Sequence, residues 1–363
     1  MKTRVSPNLE AYLGDISLFD VQAMNLLLEG SSIIDWARPN FSSAEEAERL
    51  LRVNGYEVND PEDMDRFRYL ITESASYLEL TFGFLMPSEL LHLREPTEIF
   101  LIASDKRHPQ QRLAWMLIKV LHVLNHVQGR ELGHILATSD HALFQEVQDK
   151  IAHSVDQMRH LGIGVHEYQS SMKTKESLLT KLLSKRNTIA AQIFDKVRFR
   201  IILESRSDLF PALVYLTREV IPFNYVIPGE TRNDILEIHR EVMKFPQLLP
   251  QLVSLAKQAG TPEEAAENSV QDHVFPFNPA TEASYKVINF VVDLPIQAKP
   301  LLESFGLPYT REMGGLVFVM VEFQVFDKET YQNNESGPAK HEFYKDRQKK
   351  MVLSRLVKGS PDN

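Results

Sequence analysis

The sequence predicts an α+β protein, a mixed β-sheet flanked by helices and preceded by a mostly helical N-terminal part. Three observations lead there. Residues 1 to about 160 place their apolar positions at helical spacing, and no alternating run stands out among them. From Phe194 the texture changes to short β-branched and aromatic runs with helical stretches between and after them. The length of 363 residues, at roughly 100 to 200 residues per domain, leaves room for about two cores.

Turn-like breaks at 59–63 and 105–109 divide the helical part. A helix is expected to start near Ser171. Strands follow at 197–203, 221–227, 285–294 and 316–326. The series is interrupted by an insertion at 229–280, helical over 233–258 and then a loop rich in Pro, Glu and Asn, a length typical of an insertion or a lid. A basic helix over 345–358 and a polar tail, 359–363, close the chain. The expected division is an accessory domain over 1–140 and a sheet domain over 141–358.

With no cysteine, disulfide frameworks, thiolate metal sites and cysteine nucleophiles are excluded, so any metal must take oxygen or imidazole ligands. Residues 1–13 carry Lys2, Arg4 and Glu10 and no apolar core of signal-peptide length. The apolar stretch 113–127 is broken by Lys119, His122, Asn125 and His126 and falls short of the ~20 residues a bilayer crossing needs. A cytoplasmic location with no membrane partner is expected. The net charge of −9 speaks against wholesale nucleic-acid binding, yet a local basic site inside an acidic protein still holds a phosphate. His122, His126 and His134 lack the acidic residue that a zinc-protease helix places between its first two histidines, and read as core or surface residues. No phosphate-binding glycine loop and no nucleophile elbow is present.

Four groups of residues carry chemistry. Lys173, Ser177 and Lys181 are spaced four apart and would line one face of a helix, either a polyphosphate cradle or a solvated face. Asp195, Arg198 and Arg200 open the first strand. Arginines within an apolar strand must meet a carboxylate, for instance Arg200 with Glu322, or a ligand phosphate, and Asp195 suits a surface position or Mg²⁺. Alternation on the last strand sets Val317, Val319, Val321, Phe323 and Val325 on one face, with Glu322 and Gln324 on the other, either a site or an open solvated face. Residues 335–345 bring Glu335, His341, Tyr344 and Lys345 to a turn and helix start.

Taken in order, these pieces resemble the synthetase domain of the RelA/SpoT-type alarmone enzymes, a nucleotidyltransferase-like fold. That family shows Arg-x-Lys-x-x-x-Ser-x-x-x-Lys, then Asp-x-x-Gly-x-Arg, Asp-Tyr-Ile, Gly-Tyr-x-Ser-Leu-His, Glu-x-Gln-x-Arg and Glu-x-Gly-x-Ala-x-His-x-x-Tyr-Lys. Here the counterparts are Lys173-x-x-x-Ser177-x-x-x-Lys181 behind a lead-in helix at 145–162, Asp195-x-x-Arg198-x-Arg200, Asn224-Tyr225-Val226, Ser284-Tyr285, Glu322-x-Gln324 and 335–345. The resemblance covers a little over half the chain. It implies transfer of the β,γ-pyrophosphate of ATP to the 3′-hydroxyl of a guanine nucleotide, GDP or GTP, with Mg²⁺ held by Asp195 and Glu322. Glu322 would alternatively accept the attacking hydroxyl's proton. Lys173 and Lys181 would bind ATP phosphates, Arg200 would stack on adenine and Tyr285 on the acceptor base. Ser177, Arg198, Gln324, His341 and Lys345 complete the implied substrate-binding set.

Departures from the pattern are specific. Ser171 stands where the family has its first arginine, Arg198 replaces the glycine, Asn224 the second-strand aspartate and Asn289 the third-strand histidine, and Val325-Phe326 follows Gln324. These losses motivate a second reading, a non-catalytic descendant that binds a nucleotide or a protein partner through the old site. A third keeps the chemistry but moves the acceptor to an adenine nucleotide or an RNA 3′ end, which the basic stretch 340–358 keeps open. None of the 12 histidines is followed by aspartate, so the hydrolase domain of long family members is not expected ahead of the sheet. The N-terminal part reads as an accessory domain for regulation or self-association into a homo-oligomer.

Overall fold

The computed structural model describes residues 6–36, 38–136, 140–184, 197–248, 285–304, 306, 310, 314–336 and, near the C-terminus, 349, 350, 352–354, 356 and 357. Eight helices come first: α1 (Pro7–Gly14), α2 (Leu18–Glu29), α3 (Ala44–Val53), α4 (Pro61–Phe82), α5 (Ser88–Leu91), α6 (Glu98–Ser104), α7 (Gln111–Leu136) and α8 (Asp140–Leu161). Then follow β1 (Val165–Met172), α9 (Lys175–Ser184), β2 (Val197–Leu203), α10 (Leu209–Glu219), β3 (Arg232–Asn233), α11 (Ile238–Val242), β4 (Ile288–Gln297), α12 (Lys299–Ser304), β5 (Leu316–Asp327) and α13 (Lys328–Ser336). The α+β class holds.

The sheet is five-stranded in the order β1-β2-β5-β4-β3, with β2 and β5 parallel and every other pair antiparallel. One face is apolar, as the alternation on β5 requires. Phe199, Phe323 and Phe290 stand opposite one another on β2, β5 and β4, with ring centroids 5.7 and 5.4 Å apart, and Tyr168 and Phe144 stack against Phe199 from β1 and α8. Cross-strand aromatic pairs each add about 0.5–1.5 kcal/mol beyond their area burial, so this ladder fixes register as well as filling the core.

The helical part is fastened to the sheet, and one apolar cluster runs from Leu9 to Val325. α7 crosses the N-terminal half of β5 so closely that a Cβ on Gly129 would lie 2.4 Å from the Phe318 ring, which only glycine allows. α2 begins with a capping box between Ser17 and Asp20, and the Asp20 carboxylate also takes the buried Arg218 of α10 at 2.6 Å. Among the described residues, no helix is long and apolar enough to cross a membrane.

Several expected elements differ. The run 221–227 is not a strand. It forms a 3₁₀ turn, Phe223–Tyr225, and a single bridge from Val226 to Val292. Its apolar residues are buried by the N-terminal helices rather than by strand neighbours, and a short buried run has no periodicity to tell the two apart. The helix expected near Ser171 starts at Lys175, because Val165–Met172 is an edge strand. Within the insertion, β3, the short α11 and a 3₁₀ turn (Pro246–Leu248) replace the start of the long helix, and 249–280 lie outside the described residues. β4 starts at Ile288, three residues after Tyr285.

Candidate functional site

The polar face of the sheet is built by register. Arg200 on β2 stands opposite Gln169 on β1 and Gln324 on β5, Gln324 opposite Asn289 on β4, and Asn289 opposite Arg232 on β3, a polar row across all five strands. One step along, Ser171, Arg198, Glu322 and Val291 form a parallel row. In the other direction Ile202, Val287 and Phe326 make a small apolar floor against which Tyr285 and Tyr331 pack. Cationic, amide and aromatic groups therefore share one surface because residues two apart on a strand point the same way.

The expected pairing of Arg200 with Glu322 is corrected by the parallel register, which places Arg198 opposite Glu322. Arg198 Nε donates to Glu322 Oε2 at 2.6 Å, and Gln324 Nε2 donates to Glu322 Oε1 at 3.2 Å. Both carboxylate oxygens are thus engaged, and the Glu322 side chain is only 10% exposed, so this is not an open solvated face. Arg200 Nε donates to Gln324 Oε1 at 2.9 Å, and the Gln324 amide also reaches Asn289 Oδ1 at 3.3 Å. Among the described residues, no carboxylate lies within ion-pair distance of Arg200, a half-buried cation held by a neutral amide.

Tyr285 lies within electrostatic range of Arg200, Arg198 and Glu322. Burial raises its phenol above the ordinary range while the two arginines pull the other way. Its backbone carbonyl accepts Arg232 Nη2 at 2.8 Å. Lys173 follows the end of β1, two residues past Ser171 on the strand that borders Arg198 and Arg200, and it precedes α9 rather than lying on it. The single helical face expected for Lys173, Ser177 and Lys181 therefore does not form. Ser177 sits in the first turn of α9, where its backbone N–H and its Oγ are both bonded to Oγ1 of Thr174, the residue just before the helix. The Lys181 side chain, Asp195, His341 and Lys345 lie outside the described residues.

Asn224, expected on a strand, turns away from this face. It is buried, its amide donates to Asn54 Oδ1 at 2.7 Å, and it contacts His122 Nδ1 at 3.1 Å. His122 stacks on Tyr225, and burial with His126 nearby pushes its pKa down to about 3. His126 and Arg130 both bond the fully buried Asp293 on β4. Sequence reasoning missed Gln169, Arg232 and Tyr331, whose phenol oxygen accepts Gln169 Nε2 at 3.3 Å. No local signal marks them, since each joins the site only through strand order.

Magnesium tests this donor set directly. Mg²⁺ takes carboxylates plus substrate phosphates, and Glu322 already holds a guanidinium on one oxygen and an amide on the other. Unit like charges about 4 Å apart repel by about 4 kcal/mol at an effective dielectric near 20, and a divalent ion doubles that. Arg198 and a metal compete for one carboxylate, so the described residues do not fit Mg²⁺ as they stand.

No family model and no curated protein matches the chain. Among solved structures it is similar to small alarmone synthetase 1 from Bacillus subtilis, at 13% identity over 59% of this chain and 86% of that one, with a TM-score of 0.31. It is similar at the same identity and TM-score to a GTP pyrophosphokinase family protein from Streptococcus pneumoniae, over 59% and 83% of the two chains. For small alarmone synthetase 2 from Bacillus subtilis the identity is 12%, the coverage 61% and 91%, and the TM-score 0.30.

Proposed function

We propose that this protein binds a nucleoside polyphosphate on the polar face of its sheet, with the phosphates on Arg200 and Lys173 and the base against Tyr285 and the neighbouring aromatic floor. The observation that carries this reading is Arg200. A half-buried guanidinium without a counter-charge is costly, and a phosphate supplies both the charge and the paired acceptors that its planar fork fits. The apolar floor of Ile202, Val287 and Phe326, with Tyr285 and Tyr331, lies one register step away and supports a flat ring as the other end of the ligand. ATP and a guanine nucleotide are the proposed ligands.

A second reading, pyrophosphate transfer from ATP to the 3′-hydroxyl of GDP or GTP, is favoured by Glu322 and Gln324 standing side by side on β5 in the motif order. In that reading Glu322 reaches the hydroxyl's proton only after Arg198 lets go, because both of its oxygens are already engaged, one by Arg198 and the other by Gln324. The site as built therefore favours binding over transfer.

Equilibrium binding of ATP and GTP, run beside a transfer assay with γ-labelled ATP and GDP, GTP or ADP, separates the readings. Binding lost in Arg200→Ala, with no label transfer, is the expected result. Transfer abolished by Glu322→Gln would establish the enzyme reading instead, and absence of binding to any nucleoside di- or triphosphate would overturn both.

A further inference from the structure

We infer that Arg198 takes the place of a divalent cation at this site, so that the protein binds its nucleoside polyphosphate without a metal ion. The inference rests on the nucleotide-binding reading above and names the cation that completes it. In a metal-using phosphate site the ion neutralises a protein carboxylate and the ligand's phosphates together. Here a guanidinium already neutralises the carboxylate, with Arg198 Nε 2.6 Å from Glu322 Oε2, and that guanidinium belongs to the same strand face as Arg200.

The substitution and the contact belong together. The motif that this strand resembles has glycine where Arg198 stands, and glycine leaves the space beside the carboxylate empty. Arginine fills that space and carries a positive charge into it. Gln324 then fixes the arrangement, because its amide nitrogen engages Glu322 Oε1 while its oxygen accepts Arg200. Arg198 and Arg200 set two guanidinium groups on one face, next to the carboxylates of Glu322 and Glu335, so a polyphosphate would meet paired donors there. Guanidinium is always protonated and binds phosphate through paired donors, so it replaces the charge of a metal without needing its coordination geometry.

The test measures ATP binding by calorimetry in EDTA and in Mg²⁺, and Mn²⁺ binding by electron paramagnetic resonance without nucleotide. Wild-type protein, Arg198→Gly and Arg198→Gln are compared, the last serving if the glycine variant fails to fold. Wild-type affinity for ATP is expected to agree within about threefold between the two buffers, and Mn²⁺ alone is expected not to bind. Removing the arginine is expected to weaken ATP binding in EDTA by about tenfold or more, the equivalent of about 1.4 kcal/mol. It should also create an Mn²⁺ site that a further Glu322→Gln change abolishes. A tenfold loss of wild-type affinity in EDTA, or ATP binding by both variants in EDTA as tight as wild type, would overturn the inference. If wild type binds no nucleotide in either buffer, the function reading fails. In that case gain of the Mn²⁺ site on removing Arg198 still separates that failure from a failure of the competition between Arg198 and metal.

Discussion

Two arginine–carboxylate pairs in this molecule share a closest approach of 2.6 Å and sit in different surroundings. Arg218 and Asp20 are sealed between α10 and α2, with side chains 3% and 2% exposed. Nε and Nη2 of Arg218 each take one oxygen of Asp20, while Nη1 and Nη2 reach the carbonyls of Tyr12 and Asp15. Ser17 donates its N–H and hydroxyl to the same carboxylate. Arg198 and Glu322 meet on the polar sheet face through one bond, beside an Arg200 that, among the described residues, is held by an amide. The distance is the same in both pairs, and the surroundings decide the role. A fully satisfied, dry pair fixes two helices to each other, whereas the pair on the sheet face, with side chains 19% and 10% exposed, stands beside Arg200 where the proposed ligand would bind.

The largest effect should come from breaking the sealed pair. Asp20→Ala leaves Arg218 buried without its partner and removes the α2 cap, and should cost about 3–5 kcal/mol of unfolding free energy in urea. The protein that remains folded should keep its nucleotide affinity, and a loss below about 1 kcal/mol would put the two pairs in one class. The site pair's neighbour should behave in the reverse manner. Arg200→Ala should weaken ATP binding by roughly 10- to 100-fold, the worth of a charged hydrogen bond at about 1.5–3 kcal/mol, while moving stability by less than about 1 kcal/mol. Calorimetric titration and urea unfolding of the same sample check both halves.

A third, smaller effect concerns a buried group kept neutral. The folded-state pKa of His122 lies near 3, below its ordinary 6.5, so the unfolded chain binds a proton that the folded chain does not. His122 therefore makes stability fall as pH drops from about 6.5 toward 3, by roughly 1 kcal/mol per pH unit. Unfolding free energies of wild type and His122→Asn should run parallel above pH 7 and converge below pH 6, and parallel curves throughout would remove His122 from the acid response. The smallest effect is expected where a pair is wet on both sides. Lys299→Ala, which removes the exposed contact with Glu62 at 2.6 Å, should change stability by less than about 1 kcal/mol. It is the control showing that a short contact alone carries little.

Legibility along the chain followed side-chain chemistry. β2, β4 and β5 are readable because β-branched and aromatic residues recur there, and the alternation on β5 correctly put Glu322 and Gln324 on one face. β1 escaped because an edge strand of His, Glu, Tyr, Gln and Ser has no apolar face to alternate. Asn224 and Tyr225 look like strand residues because their neighbours are apolar. Their burial comes instead from Asn54, His122 and Asn125, residues 99 or more positions away that no local window includes.

The sequence by itself determined the class of fold, the order of its chemistry-bearing segments and which residues point together from each strand, because strand periodicity and the absence of cysteine are local or compositional facts. Tertiary structure alone decided which arginine Glu322 meets. A shift of two residues in the parallel register of β2 against β5 would leave every side chain on its present face and exchange Arg198 for Arg200. Register is set by the packing of Phe199 and Phe290 on either side of Phe323, contacts between distant parts of the chain. The same long-range packing leaves Arg200 without a carboxylate among the described residues and so turns a sheet face into a candidate phosphate site.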